Sequence, residues 1–254
     1  MEHNISANLS TENTSGIQAN RTLIAQSEQS ILKELSEKVF NTFRGRTSAH
    51  AKVRNYVDEN GKPDKSYYTN RSFGNDITLT PDLIEKHFSS NDDRLGIYVT
   101  DEGMDSSYSV ILDADDHDGV LDFSIMESFV QEITLKLEEQ KLHYSVFKSG
   151  VGSGVHIWVT FKQPVNNNRL RYFMATLLSE SAVSIDGKVV QLKDGFEGGI
   201  ATGNIEIFPK QDSVKTGSYG NLIALPLGGE SEPLDEKGKP CCRSIDDELD
   251  YQKC

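Results

Sequence analysis

The chain has 254 residues, enough for one sizeable domain or for one domain with appendages. Its hydrophobic fraction of 36% is low for a compact protein, which predicts that part of the length is polar tail. The net charge of −13 argues against nucleic-acid binding over the whole surface. Residues 141–220 nevertheless carry nine Lys or Arg against six Asp or Glu, so the acidity is concentrated elsewhere.

Membrane and secretory functions are not predicted. The sequence contains no run of about 18 apolar residues, and its first residues do not resemble a secretion signal. Three cysteines, Cys241, Cys242 and Cys254, occur near the C-terminus, and their odd number argues against a disulfide framework. A reducing cytoplasm is therefore the expected location, while the role of the cysteines stays open.

The composition divides the chain into four regions. Positions 1–20 are polar and predict a disordered N-terminal tail. Positions 21–47 predict a helical extension, because apolar residues recur there near helical spacing. The main domain is expected over 48–230, and an acidic polar tail or linker over 231–254.

Within the main domain, short helices and strands alternate. Residues 56–76 contain Gly, Pro, Asn and Asp throughout, which predicts loops or hairpins. A helix is expected to begin at Pro81, because Thr80 is a cap residue and Pro favours the first helical position. Further helices are predicted from Asp122 and around 170–178, with strands at 94–100, 108–114, 143–148, 155–161, 189–192, 204–208 and 221–225. Pro164 is expected to end the 155–161 strand, and the whole pattern predicts an α+β fold.

The first candidate site is the acidic stretch at the end of the 108–114 strand. Side chains alternate across a strand, so Asp113 and Asp115 lie on one face and Ala114 lies on the other. The two neighbouring carboxylates repel each other, and a divalent cation such as Mg²⁺ or Mn²⁺ would neutralise them through oxygen ligands. A plain acidic loop is the alternative, since two Asp residues at this spacing are common.

The second candidate site is the glycine-rich loop between the 143–148 and 155–161 strands. From Ser149 through Ser153 and Gly154, backbone N–H groups could turn inward around phosphates, because few side chains obstruct them. His156 follows within an apolar strand. It is either a hydrogen-bonded core residue or a donor to a triphosphate.

The third candidate site begins with Glu206, which lies between apolar residues of the 204–208 strand. A carboxylate in that setting needs a basic or metal partner. Lys210 and Lys215 follow it. They are either ordinary surface lysines or groups that neutralise substrate phosphate.

A basic and aromatic stretch forms a fourth candidate site. Lys65, Tyr68 and Arg71 could stack on and pair with a template strand. An exposed loop without a partner is the alternative.

Taken in this order, the motifs resemble a known family. Asp-x-Asp at a strand end, Gly-x-Gly-x-His-x-Trp, and Glu-x-Phe-Pro-Lys-Gln followed by Gly-Asn-Leu-Ile-Ala-Leu-Pro-Leu resemble the three motifs of the archaeo-eukaryotic primase superfamily. The nearest branch is the primase-polymerase domain of conflict systems and of CRISPR-associated primase-polymerases. The resemblance covers roughly residues 56–228 and implies an RRM-like catalytic core, with a mixed or antiparallel sheet flanked by helices.

The resemblance also implies roles for individual residues. Asp113, Asp115 and Glu206 would be the catalytic residues and the ligands of a two-metal site that holds Mg²⁺ or Mn²⁺. A serine and a histidine of the second motif would bind the nucleotide. Which serine does so is open, because Gly154 stands where many relatives have Ser. The expected nucleotide-binding set is Ser149, Ser153, Gly154, His156, Lys210, Gln211, Lys215 and Asn221.

The function implied by the resemblance is that of a DNA primase-polymerase. It would transfer nucleotides from nucleoside triphosphates to a 3′-hydroxyl on a nucleic-acid template, with or without de novo primer synthesis. Its partners would be single-stranded or primer–template DNA, or RNA, and a fused or associated helicase, nuclease, reverse transcriptase or CRISPR protein. Two alternatives use the same residues: a metal-dependent nuclease or phosphohydrolase, and a non-catalytic module that binds nucleotide or nucleic acid.

Overall fold

The computed structural model describes residues 9–57, 59, 61, 63–89, 93–115, 123–149, 154–180, 182–185, 188–191 and 204–241. The helices are α1 (Leu9–Thr42), α2 (Pro81–Ser89), α3 (Phe123–Glu139) and α4 (Asn167–Ser179). The strands up to the middle of the chain are β1 (Ala51–Val57), β2 (Pro63–Thr69), β3 (Arg71–Ser72), β4 (Asn75–Asp76), β5 (Leu95–Tyr98), β6 (Ser106–Asp115) and β7 (Tyr144–Lys148). The later strands are β8 (Val155–Asn166), β9 (Ala182–Ile185), β10 (Lys188–Gln191), β11 (Asn204–Phe208), β12 (Leu222–Ala224) and β13 (Pro233–Leu234).

Two antiparallel sheets form the centre of the described structure. The larger has the strand order β11-β6-β8-β7-β13, and the smaller has the order β12-β5-β1-β2. The pairs β3–β4 and β9–β10 are separate hairpins. The α+β fold predicted from the sequence is confirmed, and the large sheet is antiparallel throughout. In the described part of the chain, no helix is both long enough and apolar enough to cross a bilayer.

The larger sheet has a different apolar cover on each face. Side chains alternate along β6, so Leu112 and Ala114 face one way and Ile111 faces the other. Leu112 and Ala114 pack in a core with α3 and α4. Ile111 packs in a second core with Trp158 and Phe208. This second core also contains residues of the smaller sheet and of α1 and α2, so the two sheets face each other across it.

His87 joins three elements inside the second core. Its Nδ1 accepts the backbone N–H of Leu95 at 2.9 Å, and its Nε2 lies 3.0 Å from the carbonyl oxygen of Pro226. This arrangement requires a neutral ring with the proton on Nε2, which donates to Pro226. The side chain is fully buried, and burial lowers the pKa of His87 to about 4. Gly228 packs so closely on the ring that a Cβ there would overlap it, which fixes the chain just after β12.

Three predictions about element boundaries are wrong, and the first concerns the N-terminal tail. The structure extends α1 back to Leu9, through residues 9–20 that were expected to be disordered. Once a helix has formed, each residue added to its end gains one backbone hydrogen bond. The Ser, Thr and Asn residues of this segment have low helix propensity, but each costs only a few tenths of a kcal/mol. Residues 1–8 lie outside the described part.

The second and third corrections concern Pro164 and the C-terminal region. Strand β8 continues through Pro164 to Asn166. The register between β6 and β8 shifts at this point, from Ser109↔Thr160 to Ser107↔Val165, so Pro164 is not required to donate to a regular ladder. Residues 231–254 were predicted as tail, yet Leu234 is buried and β13 pairs with β7. Residues 242–254, with Cys242 and Cys254, lie outside the described part.

The low pKa of His87 predicts that the protein is less stable in acid. Because the folded-state pKa is about 4 and the ordinary value is 6.5, the unfolded chain binds a proton between these pH values and the folded chain does not. The free energy of unfolding should therefore fall as pH drops through this range, by about 3 kcal/mol from this group. Urea denaturation of the wild type and of His87→Asn, at pH values from 7 to about 4, should show a steeper fall for the wild type.

Asn is the suitable replacement because its side-chain oxygen can still accept the Leu95 N–H. His143→Asn, at an exposed position, controls for the loss of a histidine. Parallel pH profiles for the wild type and His87→Asn would contradict the role assigned to His87.

Candidate active site

Three candidate residues from separate motifs lie side by side across the larger sheet. Asp113 on β6 is in register with Glu206 on β11 and with His156 on β8. Directly opposite residues of antiparallel strands have Cβ atoms about 4.5–5.5 Å apart. The structure therefore brings together the first-motif acid, the second-motif histidine and the third-motif acid. We refer to Glu206, Asp113 and His156 as the active-site row.

The row lies on the same face of the larger sheet as three buried apolar residues, Ile111, Trp158 and Phe208, which we call the apolar floor. Two residues before Asp113 on β6 is Ile111, which pairs with Phe208 on one side and Trp158 on the other. All three of these apolar side chains are buried. The active-site row thus lies directly beside the apolar floor, two residues away along each strand.

Burial changes along the row. The side chains of Asp113 and His156 are 12% and 6% exposed, whereas the side chain of Glu206 is 41% exposed. Asp113 Oδ1 lies 3.2 Å from His156 Nε2. The sequence left open whether His156 is a core residue or a site residue. The structure shows a buried histidine that contacts the Asp113 carboxylate, so His156 lies within the candidate site.

Lys210 neutralises the open end of the row. Its Nζ lies 2.5 Å from Glu206 Oε1 and 4.6 Å from the centre of the Phe208 ring. Its carbonyl oxygen accepts a hydrogen bond of 2.7 Å from Arg171 Nη1 on α4. The backbone of Lys210 is therefore held by the helix, while its flexible stem carries the charge to Glu206.

The remaining residues of the third motif surround the turn after β11. The carbonyl oxygen of Gln211 accepts from Asn167 Nδ2 at 3.1 Å, and a Cβ on Gly220 would lie 3.4 Å from Gln211 Oε1. Asn221 Oδ1 is buried and accepts no hydrogen bond from the described residues. Lys215 is exposed, and its described contact is a turn in which its carbonyl accepts from Ser218 N–H. The structure brings Gln211 and Asn221 into one loop region but does not join Lys215 to the row.

A pocket opens beside the row, between the two sheets. It is lined by Tyr67, His87, Arg94, Leu95, Ser149, His156, Ala224, Leu225, Gly228 and Ser231. The ends of the glycine-rich loop meet here, since Ser149 N–H donates to Gly154 O at 2.9 Å. Residues 150–153, and with them Ser153, lie outside the described part. The pocket thus offers hydroxyl, imidazole and guanidinium groups, and its His156 contacts the Asp113 carboxylate.

Sequence reasoning missed Arg94 and Ser231 in this pocket. Both lie outside the three motifs, and nothing local distinguishes them from other polar residues. They reach the pocket because β5 and the segment after β12 are packed across the second core from the row.

The carboxylates are suitable ligands for Mg²⁺ or Mn²⁺, since both ions prefer oxygen donors. Asp113 and Glu206 face each other from adjacent strands, and the backbone of Asp115 is in register with Asn204 on the same face. The side chain of Asp115 lies outside the described part. Among the described side chains alone, no three His, Cys, Asp or Glu groups are placed to hold a metal. A third ligand would therefore have to come from a residue outside the described side chains, for which Asp115 is the candidate.

The fourth candidate site lies on and after the edge strand of the smaller sheet. Tyr68 on β2 is 45% exposed. Arg71 Nε lies 2.9 Å from Asp76 Oδ1, and Arg71 also contacts the Tyr219 hydroxyl, so its charge is partly compensated. The side chain of Lys65 lies outside the described part. These contacts make Arg71 a structural residue, whatever else it binds.

A comparison with protein families agrees with this geometry. The family model described as the archaeo-eukaryotic primase domain of the TOTE conflict system matches residues 40–239. A search of curated proteins found no match. The matched range contains the whole active-site row, and it also includes β13, which the sequence analysis had placed in a tail. The chain therefore belongs to the archaeo-eukaryotic primase domain family of TOTE conflict systems, within the superfamily of primase-like nucleotidyltransferases.

Proposed function

We propose that the chain is a metal-dependent DNA primase-polymerase. It would transfer a nucleotide from a nucleoside triphosphate to the 3′-hydroxyl of a strand paired to a template. The observation that carries this proposal is the register of Asp113 with Glu206 and His156, next to a pocket that contains Ser149. Clustered carboxylates beside a pocket with hydroxyl and imidazole groups suit nucleotidyl transfer, because a module that only binds nucleotide has no use for negative charge facing phosphate.

We assign the metal ligands to Asp113, Asp115 and Glu206. When bound, a pair of Mg²⁺ or Mn²⁺ ions would lower the pKa of the 3′-hydroxyl and neutralise charge on the leaving pyrophosphate. The protein itself contributes orientation. Asp113 is buried against the apolar floor and contacts His156 at 3.2 Å, so its carboxylate has little freedom to turn away from the pocket.

We assign nucleotide binding to the pocket and the turn after β11. Ser149 can donate its hydroxyl to phosphate oxygens, and His156 can donate through a ring nitrogen. Lys210 supplies a mobile positive charge whose backbone is fixed by Arg171, so its Nζ can reach either Glu206 or a triphosphate. Gln211 and Asn221 would complete the nucleotide contacts from the neighbouring loop.

The partners follow from this activity. The expected ligands are nucleoside triphosphates and single-stranded or primer–template DNA, with RNA as a further template. A helicase, nuclease, reverse transcriptase or CRISPR protein is the expected fused or associated partner. We expect the reaction to take place in the cytoplasm.

Asp113→Asn tests the proposed chemistry. The substitution keeps the size of the side chain but removes its charge, so primer extension should fall by about three orders of magnitude or more. The free energy of unfolding should change by no more than about 1 kcal/mol, because a repulsive contact among carboxylates is removed. A primer labelled at its 5′ end, annealed to a template, is incubated with each metal and with deoxynucleotides or ribonucleotides.

Glu139→Gln is the matched control, since this exposed carboxylate ends α3 and α3 packs on the opposite face of the sheet. A folded Asp113→Asn protein that still extends the primer would refute the assignment. If the wild type shortens the labelled primer, the protein is a nuclease. If it binds nucleotide without turnover, it is a non-catalytic module.

Lys210→Met tests the electrostatics of the row. Glu206 loses the ammonium group that lies 2.5 Å away, so a divalent cation becomes its main source of neutralisation. The dissociation constant for Mn²⁺ should fall by about three- to tenfold, which corresponds to about 1 kcal/mol at a partly exposed site. The same substitution should raise the KM for the nucleotide, because the ammonium group that would bind phosphate is removed.

Titration calorimetry with Mn²⁺ measures the first effect, and steady-state kinetics measures the second. Glu206→Gln should weaken Mn²⁺ binding, and Lys141→Met, at an exposed turn after α3, should leave it unchanged. Equal Mn²⁺ affinity in the wild type, Lys210→Met and Glu206→Gln would exclude Glu206 as a ligand.

A further inference from the structure

The β3–β4 hairpin presents an aromatic ring at its tip in an unfavourable backbone conformation. Ser72 pairs with Asn75, so Phe73 and Gly74 form a two-residue turn. Both have positive φ, 50° and 81°, as in a type I′ turn. Such turns favour Asn-Gly, and a bulky residue there costs about 1 kcal/mol or more. Phe73 is fully exposed, so burial does not offset this cost.

The hairpin is firmly attached at its base. The Tyr219 hydroxyl donates to the Asp76 carboxylate at 2.7 Å, and Arg71 Nε donates to the same carboxylate at 2.9 Å. Two guanidinium groups pack on the Tyr219 ring: the Cζ atoms of Arg71 and Arg46 lie 5.2 Å and 5.1 Å from the ring centre. The ring at the tip therefore projects from a braced support, which lowers the entropy lost when it binds a partner.

The support connects the hairpin to the loop that precedes β12. Arg46 is almost fully buried and donates to Ser218 O at 2.8 Å and to Glu102 Oε2 at 2.7 Å. Glu102 in turn accepts the Gly217 N–H at 2.5 Å. The same loop leads to Asn221, which belongs to the expected nucleotide-binding set. The base of the hairpin and the loop before β12 are thus parts of one contact network.

The surroundings of Phe73 fit a nucleobase better than a protein surface. Its neighbours Arg71, Ser72, Gly74 and Asn75 are polar or small and are exposed. A specific protein interface needs about 800 Å² per partner with an apolar centre, and one ring among polar residues does not provide it. A base needs only one ring face. Residues 44–76 also carry seven Lys or Arg against four Asp or Glu, in a chain of net charge −13.

We propose that Phe73 stacks on a base of the single-stranded template, outside the active-site row and beside the loop that leads to Asn221. This proposal rests on the proposed function for its choice of ligand. Stacking on an aromatic side chain does not depend on base identity, so the contact would hold any template sequence. It would be made by DNA and RNA alike, because both expose a π-face.

The test is binding of fluorescent single strands to the full chain at fixed salt. Phe73→Ala should raise the Kd for an oligothymidylate of about twenty nucleotides by about 5- to 100-fold. Phe73→Trp should retain the affinity. For an abasic strand of the same length, the wild type and Phe73→Ala should bind equally, because phosphate contacts remain and no base is present. An oligouridylate measures the RNA case.

Two further variants separate stacking from loss of structure. Phe73→Asn should weaken binding like Phe73→Ala yet raise the Tm, because Asn tolerates positive φ. Tyr172→Ala removes another exposed aromatic, on α4, and should leave binding unchanged. Unchanged affinity of Phe73→Ala for the oligothymidylate, or an equal loss with the abasic strand, would overturn the proposal.

Failure of this proposal can be told apart from failure of the proposed function. Asp113→Asn should still bind single strands in a Phe73-dependent way, because Phe73 lies outside the active-site row. Phe73-dependent binding without primer extension by the wild type would refute the polymerase and keep the stacking contact. Primer extension by the wild type, together with single-strand binding that does not depend on Phe73, would keep the polymerase and refute the stacking contact.

Discussion

The antiparallel register of β6 with its two neighbours is the constraint on which the site depends. Side chains alternate along each strand, so a slip of one residue would turn Asp113 into the core beneath α3 and α4 and expose an apolar neighbour instead. The apolar floor formed by Ile111, Trp158 and Phe208 makes such a slip costly, since all three side chains would leave the second core. The residues that stabilise the fold therefore also fix the position of the charged row.

The active-site row places negative charge where it is costly. Asp113 is nearly buried, and Glu206 lies directly opposite it. The structure offsets this repulsion with two nearby groups, the imidazole of His156 at one end and the ammonium of Lys210 at the other. Both groups belong to the motifs themselves, so the residues that balance the acids are also the residues expected to meet the substrate. Stability and function are coupled at this point.

The smaller sheet completes the site without contributing to the row. The buried ring of His87 links α2, β5 and the segment after β12, and this link holds the far wall of the pocket opposite Ser149. On its outer side, Arg46 and Tyr219 connect the loop before β12 to the β3–β4 hairpin. The second core thus aligns two separate walls around one pocket.

The sequence by itself determined which acids are candidates for the site and the type of most elements, because both follow from a few neighbouring residues. Alternation placed Asp113 and Asp115 on one face, and apolar neighbours marked Glu206 as a carboxylate that needs a partner. Only the tertiary structure decided which partners they have. The contact of Asp113 with His156 and the pocket positions of Arg94 and Ser231 depend on strand register and sheet packing, whereas the turn after β11 brings Lys210 to Glu206, four residues before it. Contacts between distant segments carry no local signal, and for the same reason β13 and the continuation of β8 past Pro164 could not be predicted.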